Sequence, residues 1–391
     1  MSIAQATLQF VKEHRNDDVK ALLLQASRYP DVDMRCAVQQ IEGWQHAVAK
    51  LPEWAATEGI LYPPRLSMEQ CSSEHTALYK ASIMGGGSFA DMTGGFGIDC
   101  SYISRNFLRG FFIERSEELC KIAAHNFSLL GLHHIEVLNG NSEEKLPMLP
   151  SLDWIYIDPA RRDGVGKKVV ALSDCEPDVV AIKEQLLAKA GKVMIKCSPM
   201  LDITAACRQL GCVGDVHIVS VNNECKELLF ILSAEQPVER RIHCVNIHGG
   251  AVGCFSFSPT DDAVCSYSAA VGRYLFEPNA SIQKAGCPAA LAAEYGLKKL
   301  HSNSNLYTSD EPLSSFPGRA FEVVEVCGFS KAELKAFVGD LKKANIAVRN
   351  FPESVQQLRK RLKLGEGGDA YIFATTLAND KRVLVRCRKL Y

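Results

Sequence analysis

The chain has no C-x-x-C pair, no cluster of Cys and His at zinc-ligand spacing, and no G-x-G-x-x-G run. Without the first two, a zinc module is excluded, and the fifteen cysteines, odd in number and scattered, do not make a disulfide framework. Several of them, such as Cys100, Cys197 and Cys225, lie in or beside apolar segments, where a reduced cysteine is a small core residue. Without a G-x-G-x-x-G run there is no pyrophosphate-binding fingerprint of nicotinamide enzymes. Long apolar runs are also missing. The first eighteen residues become charged before any stretch long enough for a leader or a membrane span, so a soluble, cytoplasmic protein is expected. Net charge is only −1.

What is present is a normal globular balance, 47% hydrophobic and 23% charged residues, over 391 residues. That length exceeds one ordinary core and predicts two or more domains. The near-neutral total hides an asymmetry: residues 331–391 hold 14 Lys/Arg against 6 Asp/Glu, an excess of +8 on an otherwise acidic chain. A basic end of this kind suits a polyanionic partner, although a solvated face has the same composition.

Residues 1–75 read as helical, with Leu8, Phe10, Val11, Val19, Leu22, Leu23 and Leu24 at helical spacing, before Leu61-Tyr62-Pro63-Pro64 forces an extended stretch. A further helix is expected from Ser72-Ser73-Glu74 through Lys80. Residues 76–234 then alternate short apolar strands with helix-length crossovers. The strands are 88–91, 110–114, 135–138, 154–158, 192–196, 217–221 and 227–232. That alternation is the pattern of an α/β, Rossmann-like, doubly wound sheet of seven strands. Residues 235–315 show little strand alternation apart from 242–247, and a helix is expected at 288–295. Residues 316–391 predict a smaller α/β domain with strands at 321–326, 346–348, 370–375 and 382–387 and helices at 330–343 and 352–362.

The segment Asp91-Met92-Thr93-Gly94-Gly95-Phe96-Gly97-Ile98-Asp99 carries the first chemical signal. A strand ends in an acid, and the glycines permit a tight turn and close approach of backbone to a ligand. The next strand ends in Glu114, 23 residues after Asp91, where a carboxylate can accept hydrogen bonds from both hydroxyls of a ribose. Acids at both ends of the glycine loop would repel a pyrophosphate but suit a cationic sulfonium and an ammonium. S-adenosylmethionine is the cofactor this favours, and no metal is called for. Asp158-Pro159-Ala160-Arg161 ends the fourth strand. A carboxylate there could hold an amine or accept its proton, or could simply cap a turn. Lys196-Cys197-Ser198-Pro199 ends the fifth strand, and Cys197 reads more readily as a packed thiol than as a nucleophile.

These segments resemble, in order, the motifs of class I methyltransferases. On that resemblance Asp91, Thr93, Gly95, Gly97 and Glu114 would bind S-adenosylmethionine, with Asn141 of Asn139-Gly140-Asn141-Ser142 near the adenine amine. Asp158 and Pro159 would orient the acceptor, with Arg161 where an exocyclic-amine methylase has a base-stacking aromatic. Ser72 and Ser73 could hold the methionine carboxylate and Lys80 could pair with it; equally, a serine there could cap the helix. Gln70-Cys71-Ser72-Ser73-Glu74, Asp158-Pro159-Ala160-Arg161-Arg162 and Leu358-Arg359-Lys360-Arg361-Leu362-Lys363-Leu364-Gly365-Glu366-Gly367-Gly368 further resemble a bacterial group of RNA methylases. In that group a ferredoxin-like segment, here including 274–279, precedes a THUMP-like domain. The resemblance implies methyl transfer to a base in tRNA or rRNA. The alternatives are a small-molecule or protein methyltransferase and a non-catalytic RNA-binding protein. Oligomeric state is not legible.

Overall fold

The computed structural model describes residues 3–161, 172–235, 239–260 and 263–390. It divides into two units, one formed by Met1–Val216 with Glu227–Val238 and the other by His217–Lys226 with Glu239–Tyr391.

In the first unit, helices Gln5–His14, Val19–Leu24 and Met34–Lys50 close over Phe10, Leu22, Met34, Ala37, Val38 and Ile41. The Leu61–Pro64 stretch is extended, as the two prolines require, and the backbone of Leu61 and Tyr62 is held by side chains. Gln40 accepts from the Tyr62 amide at 2.8 Å and donates to its carbonyl at 2.9 Å. Asn126 does the same for Leu61, at 2.9 Å in each direction. Two buried side-chain amides thus replace the ladder that an isolated extended segment lacks.

The sheet of this unit contains β1 (Gly86–Asp91), β2 (Phe107–Glu114), β3 (Ile135–Asn139), β4 (Leu152–Ile157), β5 (Ala190–Cys197) and, after β6 (Val213–Val221), β7 (Glu224–Ser233). Strands β3-β2-β1-β4-β5 lie side by side and parallel, and β7 runs antiparallel to β5, with Ile195 opposite Phe230. Phe89, Ala90, Phe111, Phe112, Ile155, Ile157, Val193 and Ile195 are buried, the continuous apolar pattern of a sheet covered on both faces. Parallel strands bring their carboxyl ends to one edge, so the residues ending β1, β2, β4 and β5 meet there.

In the second unit, β8 (Arg241–His248) and β9 (Ala251–Phe257) form a hairpin. β9 was not legible in the sequence because its first four residues are all exposed, which removes the alternation that marks a half-buried strand. A second sheet comprises β10 (Tyr274–Pro278), β11 (Lys298–Lys299), β12 (Tyr307–Ser309), β13 (Gly318–Cys327), β14 (Asn345–Arg349), β15 (Ala370–Thr376) and β16 (Arg382–Lys389), in the order β11-β12-β10-β13-β16-β15-β14. Two of its helices, Lys331–Val338 and Val355–Leu362, start at capping boxes, Ser330 with Glu333 and Ser354 with Gln357. The helix expected over 330–343 is shorter. It spans Lys331–Val338 and stops at Gly339, whose φ of +51° ends the helical course.

A candidate cofactor and methyl-transfer site

The loop after β1 is shaped by its own packing before any ligand is considered. A side chain at Gly94 would put its Cβ 2.2 Å from the Phe112 ring, and Gly97 is held at φ +89° with the Phe127 ring 2.9 Å from where a Cβ would stand. The packing of the fold itself requires a glycine at both positions. Gly95 differs: a Cβ there would meet nothing closer than the Thr93 carbonyl at 3.9 Å. Phe96 turns inward onto fully buried Trp54, ring centroids 4.9 Å apart, tying the loop to the N-terminal helices.

The acids at this edge have distinct fates. Asp91 is buried, and its Oδ1 accepts the Thr93 amide at 3.0 Å. Burial pushes its carboxyl well above the usual range, and Asp99, Asp158 and Glu114 add to the rise. Glu114 accepts the Gly95 amide at 2.8 Å on one oxygen and the Ser116 amide at 2.7 Å on the other, which fixes the loop to β2. Each oxygen keeps a second lone pair for a further donor. Thr93 Oγ1 accepts the Asp158 amide at 2.6 Å and so joins the β1 loop to the end of β4.

Asp99 departs from the expectation that both acids of the glycine loop face a cationic ligand. Its Oδ2 accepts from Ser72 and Tyr156, both at 2.7 Å, and its Oδ1 lies 3.2 Å from Lys80 Nζ. Burial alone would raise this carboxyl, but Lys80, Lys196 and the two hydroxyls hold it below the usual range. Lys80 is likewise not available to a cofactor carboxylate: it is completely buried and bound to both oxygens of Glu227 at 2.7 and 2.8 Å. An ammonium with no access to water must take its partners from the protein. Ser72 receives a further bond from Lys80 at 3.2 Å, and Ser73 caps helix Glu74–Ile83 by accepting the Thr76 amide.

At the end of β5, Lys196 Nζ lies 2.5 Å from Asp158 Oδ2. Burial opposes its charge, but Asp158, Asp99 and Glu227 hold the ammonium above the ordinary lysine range. Next to it Cys197 is buried, and burial pushes its thiol far up, away from the reactive thiolate form. Pro159 is buried. The Arg161 backbone pairs with Cys175; its side chain and all of Arg162 lie outside the described residues. Asn141 is exposed at the start of the short helix Ser142–Lys145, its amide 3.4 Å from Glu144. Asn139, in contrast, donates to the Glu114 and Arg115 carbonyls at 3.0 and 3.1 Å.

Sequence reasoning missed Lys196, Glu227 and Tyr156. The signal was present for the first two, since a charged residue within an otherwise apolar strand is expensive unless paired. The Asn222–Asn223 turn is a structural hairpin: both residues have positive φ, and Asn223 accepts the Ala280 amide at 2.8 Å.

The donor set fits an S-adenosylmethionine better than a dinucleotide. Among the described residues no cation pairs with the buried Asp91 carboxyl, Glu114 presents spare acceptors beside an open glycine, and the sequence has no G-x-G-x-x-G turn. Strand order, the acid-flanked loop and the acid ending β2 define a class I, S-adenosylmethionine-dependent methyltransferase.

Comparison gives the family. A crystal structure described as a putative methyltransferase from Porphyromonas gingivalis W83 superposes with a TM-score of 0.90 at 34% identity, covering 99% of this chain and 98% of that one. The chain belongs to that methyltransferase family. Residues 274–317 match a family described as a ferredoxin-like domain and residues 318–389 one described as THUMP domain-like. Structures of an rRNA methylase from Streptococcus thermophilus (14% identity, 41% of this chain and 93% of that one, TM-score 0.30) and of TrmK from M. capricolum with S-adenosyl-homocysteine (11%, 41% and 69%, TM-score 0.33) align in part. A search of curated proteins found no match. Among the described residues no cluster of three His, Cys, Asp or Glu could hold a metal, and no helix is long and apolar enough to cross a membrane.

The two matched segments share one sheet, because β10 pairs antiparallel with β13 from Tyr274–Glu322 to Pro278–Gly318. Glu277 of β10, buried, is held by Arg319 of β13 and by Arg349 of β14, the latter through Nε at 2.8 Å. This qualifies the charge excess read from residues 331–391. Arg349, Arg386 and Arg388 are paired with Glu277, Glu325 and Glu322, all upstream of that window. Lys342, Lys343, Lys360 and Lys363 are exposed.

Proposed function

We propose that this methyltransferase acts on RNA, of the transfer or ribosomal class. The match of residues 318–389 to a THUMP-like family carries this reading, and the exposed lysines around helix Val355–Leu362 support it. Lysines at 342, 343, 360 and 363 would contact phosphates and so position RNA without reading its sequence.

Bound at this site, S-adenosylmethionine supplies a methyl group on a positively charged sulfur. Asp91 would offset the positive charge of the cofactor, and Glu114 would take its ribose hydroxyls through the lone pairs not used by Gly95 and Ser116. Thr93, Gly95 and Gly97 would line it with backbone, Asn141 would reach its adenine, and Ser72 and Ser73 would stand on its methionine side. Asp158 and Pro159, with Arg161, would orient the acceptor. Placing a nucleophile in line with the methyl is most of the task in such a displacement.

Incubation with methyl-labelled cofactor and total RNA, followed by nucleoside mass analysis, tests the reading. Label in RNA is expected. Binding of cofactor with no label in RNA, but label in a small molecule or a protein, would overturn it. Replacing Lys342, Lys343, Lys360 and Lys363 with Glu in the full chain should weaken RNA binding and flatten its salt dependence while leaving cofactor affinity unchanged.

A further inference from the structure

We infer that the acceptor atom is a hydroxyl oxygen, the 2′-hydroxyl of an RNA ribose, and not the base nitrogen that an Asp-Pro turn suggests by itself. The inference rests on the RNA reading above and on one observation independent of it.

That observation is the pairing at the ends of β4 and β5. Asp158 and Lys196 lie 2.5 Å apart, and their side chains retain 35% and 13% of their exposure, so both reach the surface of the site. Lys80 and Glu227 stand behind them with 0% and 3%. Attack by a base nitrogen places positive charge on that nitrogen, which an ammonium beside the acceptor disfavours. A hydroxyl has the opposite need: it is a weak nucleophile until its proton is taken, and negative charge grows on its oxygen as it attacks. A carboxylate with an ammonium beside it supplies both a proton acceptor and a fixed positive charge.

In the step, the hydroxyl oxygen forms a bond to the methyl carbon as the carbon–sulfur bond breaks, the electron pair of that bond remaining on sulfur. The hydroxyl proton passes to the Asp158 carboxylate, and the Lys196 ammonium stabilises the oxygen while charge builds on it. Glu227, Lys80 and Asp99 are positioning residues: they hold the ammonium and the carboxylate facing each other.

Alkaline hydrolysis of RNA labelled by the enzyme separates the alternatives, because a 2′-O-methyl group blocks cleavage of the next phosphodiester. Label in alkali-stable dinucleotides, and a ribose-methylated nucleoside by mass, is the expected result. Label in mononucleotides with a methylated base overturns the inference and leaves the RNA reading standing; no label in RNA overturns both. Asp158→Asn gives a second test, since an amide still accepts a hydrogen bond but not a proton: it should reduce transfer at least a hundredfold with unchanged cofactor affinity by calorimetry. Transfer near the wild-type rate would instead point to an amine. Lys196→Met should show the same split, with partial recovery in Lys196→Arg. Loss of cofactor binding in both lysine variants would reduce Lys196 to a structural role and overturn its part in the step.

Discussion

Lys80 and Glu227 are 147 residues apart in sequence and meet through both carboxylate oxygens at 2.7 and 2.8 Å, with the lysine entirely out of water. The pair fixes the helix before β1 to β7, behind the end of β5. Removing one partner leaves a buried charge, so Lys80→Met should lower unfolding stability by about 3–5 kcal/mol in a urea titration. The double replacement Lys80→Met, Glu227→Met should cost less than the sum of the two single changes. Additive losses would mean that the residues act independently.

Asp91 gives a linkage prediction. Its folded carboxyl lies above the unfolded value, so its contribution to the stability of the empty protein is fully present at low pH and is lost as pH rises through the folded value. A cationic ligand favours the ionised form. Cofactor binding should therefore release a proton between the ordinary carboxylate range and that raised value, and affinity should increase with pH across the window. Calorimetry in buffers of different ionisation enthalpy measures the proton directly. Asp91→Asn should raise the thermal midpoint near neutral pH while weakening cofactor binding by roughly tenfold to a hundredfold, the worth of a hydrogen bond to a charged group.

The two kinds of glycine in the loop should part under mutation. Gly94→Ala drives a methyl into the Phe112 ring and should destabilise by about 1–3 kcal/mol. Gly95→Asn occupies a left-handed position that asparagine tolerates and faces open space. It should fold with a near-normal thermal midpoint but bind cofactor poorly. The reverse pattern would place the ligand on the other side of the loop.

Thiol chemistry distinguishes Cys254 from Cys197. Cys254 is exposed; although its partial burial acts to raise it, hydrogen bonds from His243 and Ser256 hold its thiol below the usual value. Iodoacetamide near neutral pH should modify Cys254 early, as read by peptide mass analysis, while Cys197 should react only after denaturation. Early modification of Cys197 would reopen its reading as a nucleophile.

Much of the sheet was legible because parallel strands covered on both faces leave unbroken apolar runs, as at Phe111-Phe112-Ile113 and Trp154-Ile155-Tyr156-Ile157. Asp91, Glu114 and Asp158 were legible for the same reason, each being the first acid after such a run. Lys196 was not, because attention falls on the neighbouring cysteine and its partners come from elements far away in sequence. The fate of Asp99 could not be read either: whether an acid faces a ligand or a lysine depends on tertiary pairing. The charge excess of the last sixty residues misled in part, since three of its arginines answer to glutamates counted elsewhere.

The pairing of β10 with β13 has a consequence for how this molecule can be taken apart. The two matched segments meet at residues 317 and 318, yet cutting there would expose hydrogen-bonding groups along β13 and leave Arg319 and Arg349 facing an empty place where Glu277 stood. The seam visible in the alphabet of families is therefore not a seam in the material. The ferredoxin-like and THUMP-like segments form one folding unit at this sheet and should be moved together in any transplant.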